Sequence, residues 1–311
     1  MVATTKAGLV HKAHLKEKWV LSLPPTIYLL GLFLLPTLLM LFIAFRQPGD
    51  YGGVAPLLIK NSNGTSSLNL TLDSFHYAFT NPFIWKLFLR SMLLSITTTL
   101  LCLLIAYPLA LLIAKSSKKY RDFMLLLVII PFWSNFLIRV YAWMILLGPN
   151  STLSNLVNYV RRILGLAPVD LLFSTAAVII CLVYINLPFM ILPLYANLEK
   201  HDPALLEASR DLGASKTSSF WQITIPLSLP GILAGCGLVF IPCIGMFVIP
   251  ELVGNNCSMM IGNLIKQQFL QTMNWPLGSV TAIVMTLAVL TISLIVGKLA
   301  SKSNGLKYAS K

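Results

Sequence analysis

Six apolar runs, each long enough to cross a lipid bilayer, leave this chain very few folds. They lie roughly at Val20–Phe45, Leu87–Ala114, Phe123–Leu147, Leu171–Leu198, Leu227–Pro250 and Leu277–Leu299. A helix rises about 1.5 Å per residue, so about 20 apolar residues span the hydrocarbon core. Inside that core every backbone donor and acceptor needs an internal partner, which restricts spanning elements to helices or closed barrels. Long unbroken runs without alternation predict the former: an all-α, polytopic membrane protein with six transmembrane helices. Composition agrees, with 57% hydrophobic and only 11% charged residues in 311. The first run is longer than a signal-peptide core and lacks a small-residue cleavage site, so it is read as a retained span, kinked by Pro24, Pro25 and Pro36.

A net charge of +13 in a soluble chain would suggest nucleic acid. Here the basic residues cluster beside apolar runs, where they report topology and contact with anionic lipid, and nucleic acid is set aside as a partner. The N-terminal tail, the loop Lys115–Arg121, the loop holding Glu207 and the tail after Gly297 carry about fifteen lysines and arginines, against about seven in the opposite loops. Both termini and the Glu207 loop are therefore expected in the cytoplasm. The polar stretch Arg46–Lys86 lies outside; its sequons at Asn63 and Asn69 are read as loop composition. Five cysteines, Cys102, Cys181, Cys236, Cys243 and Cys257, show no metal-ligand spacing and no disulfide framework. They are read as packing residues.

Several runs contain prolines: Pro108, Pro131, Pro188, Pro193, Pro242 and Pro250. Each removes a backbone donor and is expected to interrupt its span, a feature that lines transport routes in some membrane proteins and is a bare kink in others. Gly231 and Gly235 form a GxxxG pair that permits close helix approach. Charges at membrane depth are few. Arg139 is expected to pair with a carboxylate or to reach outward, in a structural role. Glu251, the only acid near the fifth run, is the first residue to examine if the cargo is cationic, with a water-facing interfacial carboxylate as the equal alternative. Trp133, Tyr141, Trp143 and Tyr184 could hold an amine through their ring faces, or serve as ordinary interfacial aromatics. Asn135 and Asn186 are buried-amide candidates. The substrate-path set is thus Glu251, Tyr184, Trp133, Asn135 and Tyr141.

The most specific pattern is polar. Between the fourth and fifth runs stands EASRDLGASKTSSFWQITIP, Glu207–Pro226. Asp202 and Pro203 form a helix start, the carboxylate accepting orphan amides and proline suiting the first helical position. Gly213 stops that helix, because it takes a left-handed conformation without steric cost, and Ser215 caps a second. Two short helices meeting at a bend are expected. Leu205, Leu206, Ala208 and Leu212 recur at helical spacing, with Glu207, Arg210 and Asp211 on the remaining face, an amphipathic form suited to a groove in another protein.

The spacing of Glu207, Ala208, Gly213, Ile223 and Pro226, with Ser209 and Ile225 as conservative departures, resembles the EAA loop of bacterial ABC importer permeases. The runs Tyr184–Ser215, FIPCIGMFVIPELVGN, NWPLGSVTAI and PFWSNFLIRVYAWMILL are similar, more narrowly, to membrane subunits of spermidine/putrescine importers. The resemblance covers the chain from about Leu87 onward. It implies a type I ABC importer permease (MetI-like) fold: a tail, first helix and external loop over 1–86, the transporter domain over 87–299 with its cytoplasmic coupling loop at about 199–226, and a cytoplasmic tail over 300–311. It also implies the partners: an ABC ATPase dimer on the cytoplasmic side, a second homologous permease subunit, an external solute-binding protein and membrane lipid, in a bacterial cytoplasmic (inner) membrane. Glu207, Ala208, Ser209, Gly213, Ile223 and Pro226 would form the ATPase-coupling loop.

No phosphate loop is read in the chain: at Gly213–Thr217 a serine, Ser215, stands where glycine should precede the lysine. Nothing resembles a nucleophile elbow, a zinc motif or a catalytic carboxylate pair. The chain is accordingly expected to be a transport subunit and not an enzyme, to hold no metal and no cofactor, and to leave ATP and Mg to the partner ATPase. Alternatives are an importer permease for another small solute (iron, thiamine or phosphonate) and a secondary transporter. The scarcity of intramembrane acids argues against the last.

Overall fold

The computed structural model describes residues 3–60 and 66–308; the sequon at Asn63 lies outside the described residues. Five of its helices are long and apolar enough to cross a membrane, or six if a bent pair counts as one span. In chain order the elements are α1 Ala3–Ala44, strands β1 Leu58–Lys60 and β2 Ser66–Leu68, α2 Asp73–Thr80, α3 Pro82–Lys115, α4 Lys118–Ile129, α5 Phe136–Leu147, α6 Thr152–Ile163 and α7 Thr175–Leu198. There follow α8 Pro203–Asp211, α9 Lys216–Ser219, α10 Ile225–Ile244, α11 Val248–Val253, α12 Ile261–Leu270 and α13 Trp275–Tyr308. The two strands pair antiparallel inside the loop between α1 and α2, a small departure from an all-helical chain.

The third apolar run is not one straight helix. Lys118–Trp133 and Phe136–Ile163 meet at 93°, so Phe123–Leu147 forms a broken span or a re-entrant loop. The break has local causes. Pro131 sits in a short 3-10 turn, Ile130–Trp133, and Asn135 starts α5 by accepting the Leu137 amide at 2.8 Å. The fifth run is also divided: α10 ends at Ile244, and Gly245–Phe247 separates it from α11. The other prolines do not interrupt their spans. Pro108 lies inside α3, Pro188 and Pro193 inside α7, and Pro230 and Pro242 inside α10. Likewise α1 runs unbroken through Pro24, Pro25 and Pro36.

The contacts divide the chain into two units. One comprises Met1–Ala78 with Gln268–Ile283. Its loop is tied by the Phe45–Phe75 ring contact at 5.1 Å, by the Gly53 amide donating to the Met273 carbonyl at 2.7 Å, and by Arg46, buried and donating to the Ala55 carbonyl. Asn69, the second sequon, is buried and donates to the Pro56 carbonyl, so its amide is committed to the loop's own packing.

The other unit, Phe79–Gln267 with Val284–Lys311, is built on α3, α7 and α10. Small residues set their spacing. Ala106 and Ala110 of α3 are fully buried with Val183, Met190, Ile191 and Leu194 of α7 and Val239 of α10. On α10, a Cβ at Gly231 would come 2.7 Å from Asn197 Cβ, and one at Gly235 would come 2.6 Å from Met190 Sδ. The glycine pair therefore lets α10 and α7 approach at the backbone, as its spacing predicts. Of the cysteines with described side chains, Cys102, Cys181 and Cys243 are buried, Cys236 is partly so, and all four are free thiols.

Candidate functional site

Between α7 and α10 the chain forms two short helices that meet at a glycine. Asp202 Oδ1 accepts the Ala204 amide at 3.0 Å and opens α8, with Pro203 in its first position. At the far end Gly213 stands at φ +84°, in the left-handed region, and closes the helix in a Schellman motif. Its amide donates to the Arg210 carbonyl at 2.8 Å, and the Ala214 amide donates to the Ser209 carbonyl at 3.0 Å. Ser215 then caps α9, its Oγ accepting the Ser218 amide at 3.2 Å. A wider π turn, Phe220–Thr224, carries the chain into α10 just before Pro226, whose ring would press on the carbonyl four residues back in a regular helix. Ile223 lies half-buried in that turn and Pro226 is exposed.

Ser209, one of the two departures from the expected pattern, is the buried residue of α8. Its Oγ lies 2.8 Å from Ser219 Oγ of α9, which is also buried, so the two helices are joined by a hydroxyl pair across the bend. Each hydroxyl has a second partner: Ser209 reaches the Leu206 carbonyl at 2.8 Å and Ser219 the Ser215 carbonyl at 3.1 Å. The helix buries this serine and leaves Leu205 and Leu212 exposed, as an apolar face suited to a partner's groove requires. Leu212 is 89% exposed and Leu205 47%, beside exposed Glu207, Ala208, Arg210 and Asp211. The outer face of the elbow is thus an uncovered apolar edge set among charges.

Both ends of the elbow are anchored by residues the sequence reading did not single out. At the start, Arg121 of α4 bonds Glu199, the residue closing α7, at 2.7 Å. At the end, Tyr107 of α3 lies 3.0 Å from Ser228 Oγ of α10 and packs edge-on against Phe220, ring centroids 5.8 Å apart. Neither contact has a local sequence signal, because each joins residues more than 75 positions apart.

The substrate-path candidates do not form one constellation. Tyr184 packs edge-on against Trp143 at 5.4 Å. Trp133 and Tyr141 are exposed, and Asn135, expected as a buried amide, is exposed and spent on its capping bond at the start of α5. Asn186 is buried and donates to the Leu182 carbonyl of its own helix at 2.8 Å. Among the described residues Arg139 pairs with no carboxylate; its guanidinium carbon lies 5.7 Å from the Phe132 ring centroid, and Phe132 in turn packs edge-on on Phe189. Glu251, the only acid near the fifth run, has a partner. Lys266 Nζ donates to its two carboxylate oxygens at 2.6 and 2.7 Å.

A groove of about 980 Å³ runs along α3, α10 and α13, lined by residues such as Met92, Ile96, Leu100, Leu233 and Ile241. Its lining carries no charged side chain, so it offers no counter-charge to a cationic solute. Among the described residues no group of three His, Cys, Asp or Glu is placed to hold a metal ion.

A family model described as the binding-protein-dependent transport system inner membrane component matches residues 106–302. The spermidine/putrescine transport system permease protein PotB of Haemophilus influenzae is 39% identical over 261 residues, covering 83% of this chain and 85% of that protein. PotB of Escherichia coli K12 is 44% identical over 217 residues, covering 70% and 78%. Among solved structures, a bacterial ABC transporter that imports the acidic polysaccharide alginate superposes with a TM-score of 0.63 at 22% identity, covering 93% of this chain and 98% of that one.

Proposed function

Because this chain belongs to the family of inner-membrane components of binding-protein-dependent transport systems, we propose that it is the permease subunit of an ATP-driven importer whose cargo is a polyamine, spermidine or putrescine. The family is one of transport subunits, not enzymes. The cargo follows the PotB relatives, which match most of this chain at 39% and 44% identity.

One observation carries the mechanical reading: the elbow Asp202–Pro226 presents exposed Leu205 and Leu212 on a frame locked by Gly213 and the Ser209–Ser219 pair. A rigid, amphipathic knuckle is a docking element for a groove. In this reading an ATPase dimer holds that knuckle, with Glu207, Ala208, Ser209, Gly213, Ile223 and Pro226 as its coupling loop. ATP and Mg belong to the ATPase. A second homologous permease completes the membrane pathway, and an external solute-binding protein delivers the cargo. The termini and the elbow lie in the cytoplasm, as the lysine and arginine distribution favours.

The elbow acts as a lever because its feet are the ends of α7 and α10. A push on the outer face moves both helices, since their backbones are in contact at Gly231 and Gly235. The push does work only if the ATPase holds the elbow differently in its open and closed states; equal contact in both would shift nothing.

Two measurements test the proposal. Reconstituted with its second permease, ATPase and binding protein, the chain should accumulate spermidine only with ATP. A single cysteine at the elbow tip, Leu212→Cys, should react with a membrane-impermeant thiol reagent from the cytoplasmic side alone. Uptake without the ATPase, or labelling from outside, overturns the reading.

A further inference from the structure

The ion pair at Glu251 is a built site. α12 closes on the linker between α10 and α11 because Gly262 has no side chain: a Cβ there would come 2.5 Å from the Gly245 carbonyl oxygen. Asn263 fastens the approach, its Nδ2 donating to the Phe247 carbonyl at 2.8 Å and its Oδ1 accepting the Met260 amide at 3.1 Å. Nearly one helical turn further, Lys266 reaches over the same linker. Its Nζ lies 2.6 and 2.7 Å from the two Glu251 oxygens and 5.6 Å from the centroid of the Phe247 ring. A carboxylate beside an aromatic face is the combination that binds a primary ammonium.

A lysine ammonium on its four-carbon stem is chemically the end of an alkylamine. What occupies the Glu251–Phe247 site is therefore a covalently held copy of one terminus of a polyamine. The side chains of Lys266 and Glu251 remain 28% and 41% exposed, so the pair is open to exchange with a soluble cation. We infer that Glu251 and Phe247 form an ammonium subsite on the cargo's route, kept filled by Lys266, and that one terminal ammonium of the incoming polyamine enters it by displacing Lys266.

The inference rests on the polyamine reading and deepens it. It assigns Glu251 and Phe247 the contact with cargo, and Lys266 the part of a tethered competitor. Competition of this kind suits a transporter. Before entry the carboxylate is matched by one cation; with cargo bound, the freed Lys266 ammonium adds an uncompensated positive charge beside it, which drives the cargo on. A tethered group competes at an effective concentration in the millimolar range, so the subsite stays weak and reversible. An acid without such a partner would hold a polycation longer.

The test uses the assembled importer in lipid nanodiscs, its ATPases held by a nonhydrolysable ATP analogue, without the solute-binding protein, and radiolabelled spermidine as the probe. Lys266→Met and Lys266→Gln should each bind spermidine roughly threefold to tenfold more tightly than the native importer. Glu251→Gln should weaken binding by at least as much, and the double variant Lys266→Met/Glu251→Gln should match Glu251→Gln alone. A purely structural ion pair predicts the opposite pattern: either lysine variant binds spermidine no better, and the double variant recovers what each single change lost. That result overturns the inference. ATPase co-purification shows which variants have assembled, and the glutamine variant stands in should the methionine one fail to assemble. Spermidine uptake by the native importer separates the two levels. No uptake of spermidine or putrescine refutes the polyamine reading, whereas normal uptake with unimproved binding in both lysine variants refutes only the displacement.

Discussion

Substitution at Gly213 isolates the bend from everything around it. The residue sits at φ +84°, and a Cβ built there meets nothing within 4 Å, so a side chain is opposed by backbone conformation alone and not by a neighbour. A left-handed non-glycine residue costs about 1–2 kcal/mol, with β-branched residues at the upper end and asparagine below it. At 1.4 kcal/mol per factor of ten, Gly213→Ala should lower the fraction of elbows holding the native bend by roughly fivefold relative to any competing local arrangement, and Gly213→Val by roughly thirtyfold. Uptake should therefore fall in the order glycine, asparagine, alanine, valine, with Gly213→Val close to background. The assay is energised spermidine uptake in reconstituted vesicles, normalised to inserted permease and to co-purified ATPase. Overall thermal stability should barely change, because the core on α3, α7 and α10 does not involve Gly213. Native uptake by the valine variant, or equal losses for asparagine and valine, would refute the reasoning. The first outcome would mean the bend is not needed; the second would mean the loss comes from bulk and not from φ.

Glu207→Lys, which reverses a charge on the exposed face of α8, should abolish uptake and ATPase co-purification while leaving membrane insertion unchanged. Ser209→Ala and Ser219→Ala each remove the hydroxyl pair joining α8 and α9, about 0.5–1.5 kcal/mol for a neutral hydrogen bond, and should open the elbow to limited proteolysis; because they share one bond, the double variant should be little worse than either single. Gly235→Val drives a side chain into Met190 and should lower the melting temperature in detergent by several degrees, whereas Gly237→Ala, facing open space, should leave it unchanged. Arg121→Ala breaks a part-exposed ion pair with Glu199; its cost should stay below about 1 kcal/mol and vanish in high salt, and uptake that falls tenfold or more would show that the pair anchors the lever and is not a surface contact.

What the sequence made legible was whatever is written locally. Long apolar runs, the cap at Asp202, the left-handed turn at Gly213, the second cap at Ser215 and the close-approach glycines on α10 each depend on a few neighbouring residues, and each is found in the structure. Breaks in the spans were harder to read. A proline removes one donor but does not decide whether the helix stops: α3 and α7 absorb Pro108, Pro188 and Pro193 because these helices are packed on their neighbours. Pro131, by contrast, coincides with a break because Asn135 supplies a new helix start four residues on. The partners of charged residues were not legible at all. Glu251 and Lys266 are 15 positions apart, and Glu199 and Arg121 are 78 apart, so no periodicity links either pair. Glu251 is the only acid near the fifth run, as the sequence shows, but nothing in the sequence marks Lys266 as its partner.

The placement of those pairs bears on how force reaches the membrane. Glu199 closes α7 and is held by α4, while Ser228 opens α10 and lies against Tyr107 of α3. The two feet of the elbow are therefore bound to two helices that follow one another in the chain, separated only by Ser116 and Ser117. A load on Leu205 and Leu212 cannot spread α7 from α10 without also breaking one of these attachments or the glycine contact between them. It is less costly to move the group as one body. The expected point of release is the Gly245–Phe247 linker, where α10 ends, the segment that Asn263 fastens and Lys266 crosses to reach Glu251. A hinge there requires that a cross-link between cysteines at Phe247 and Asn263 lower uptake well below that of the same double variant in its reduced form, while ATP hydrolysis by the docked ATPase continues; equal uptake in the cross-linked and reduced forms would mean that the linker is rigid.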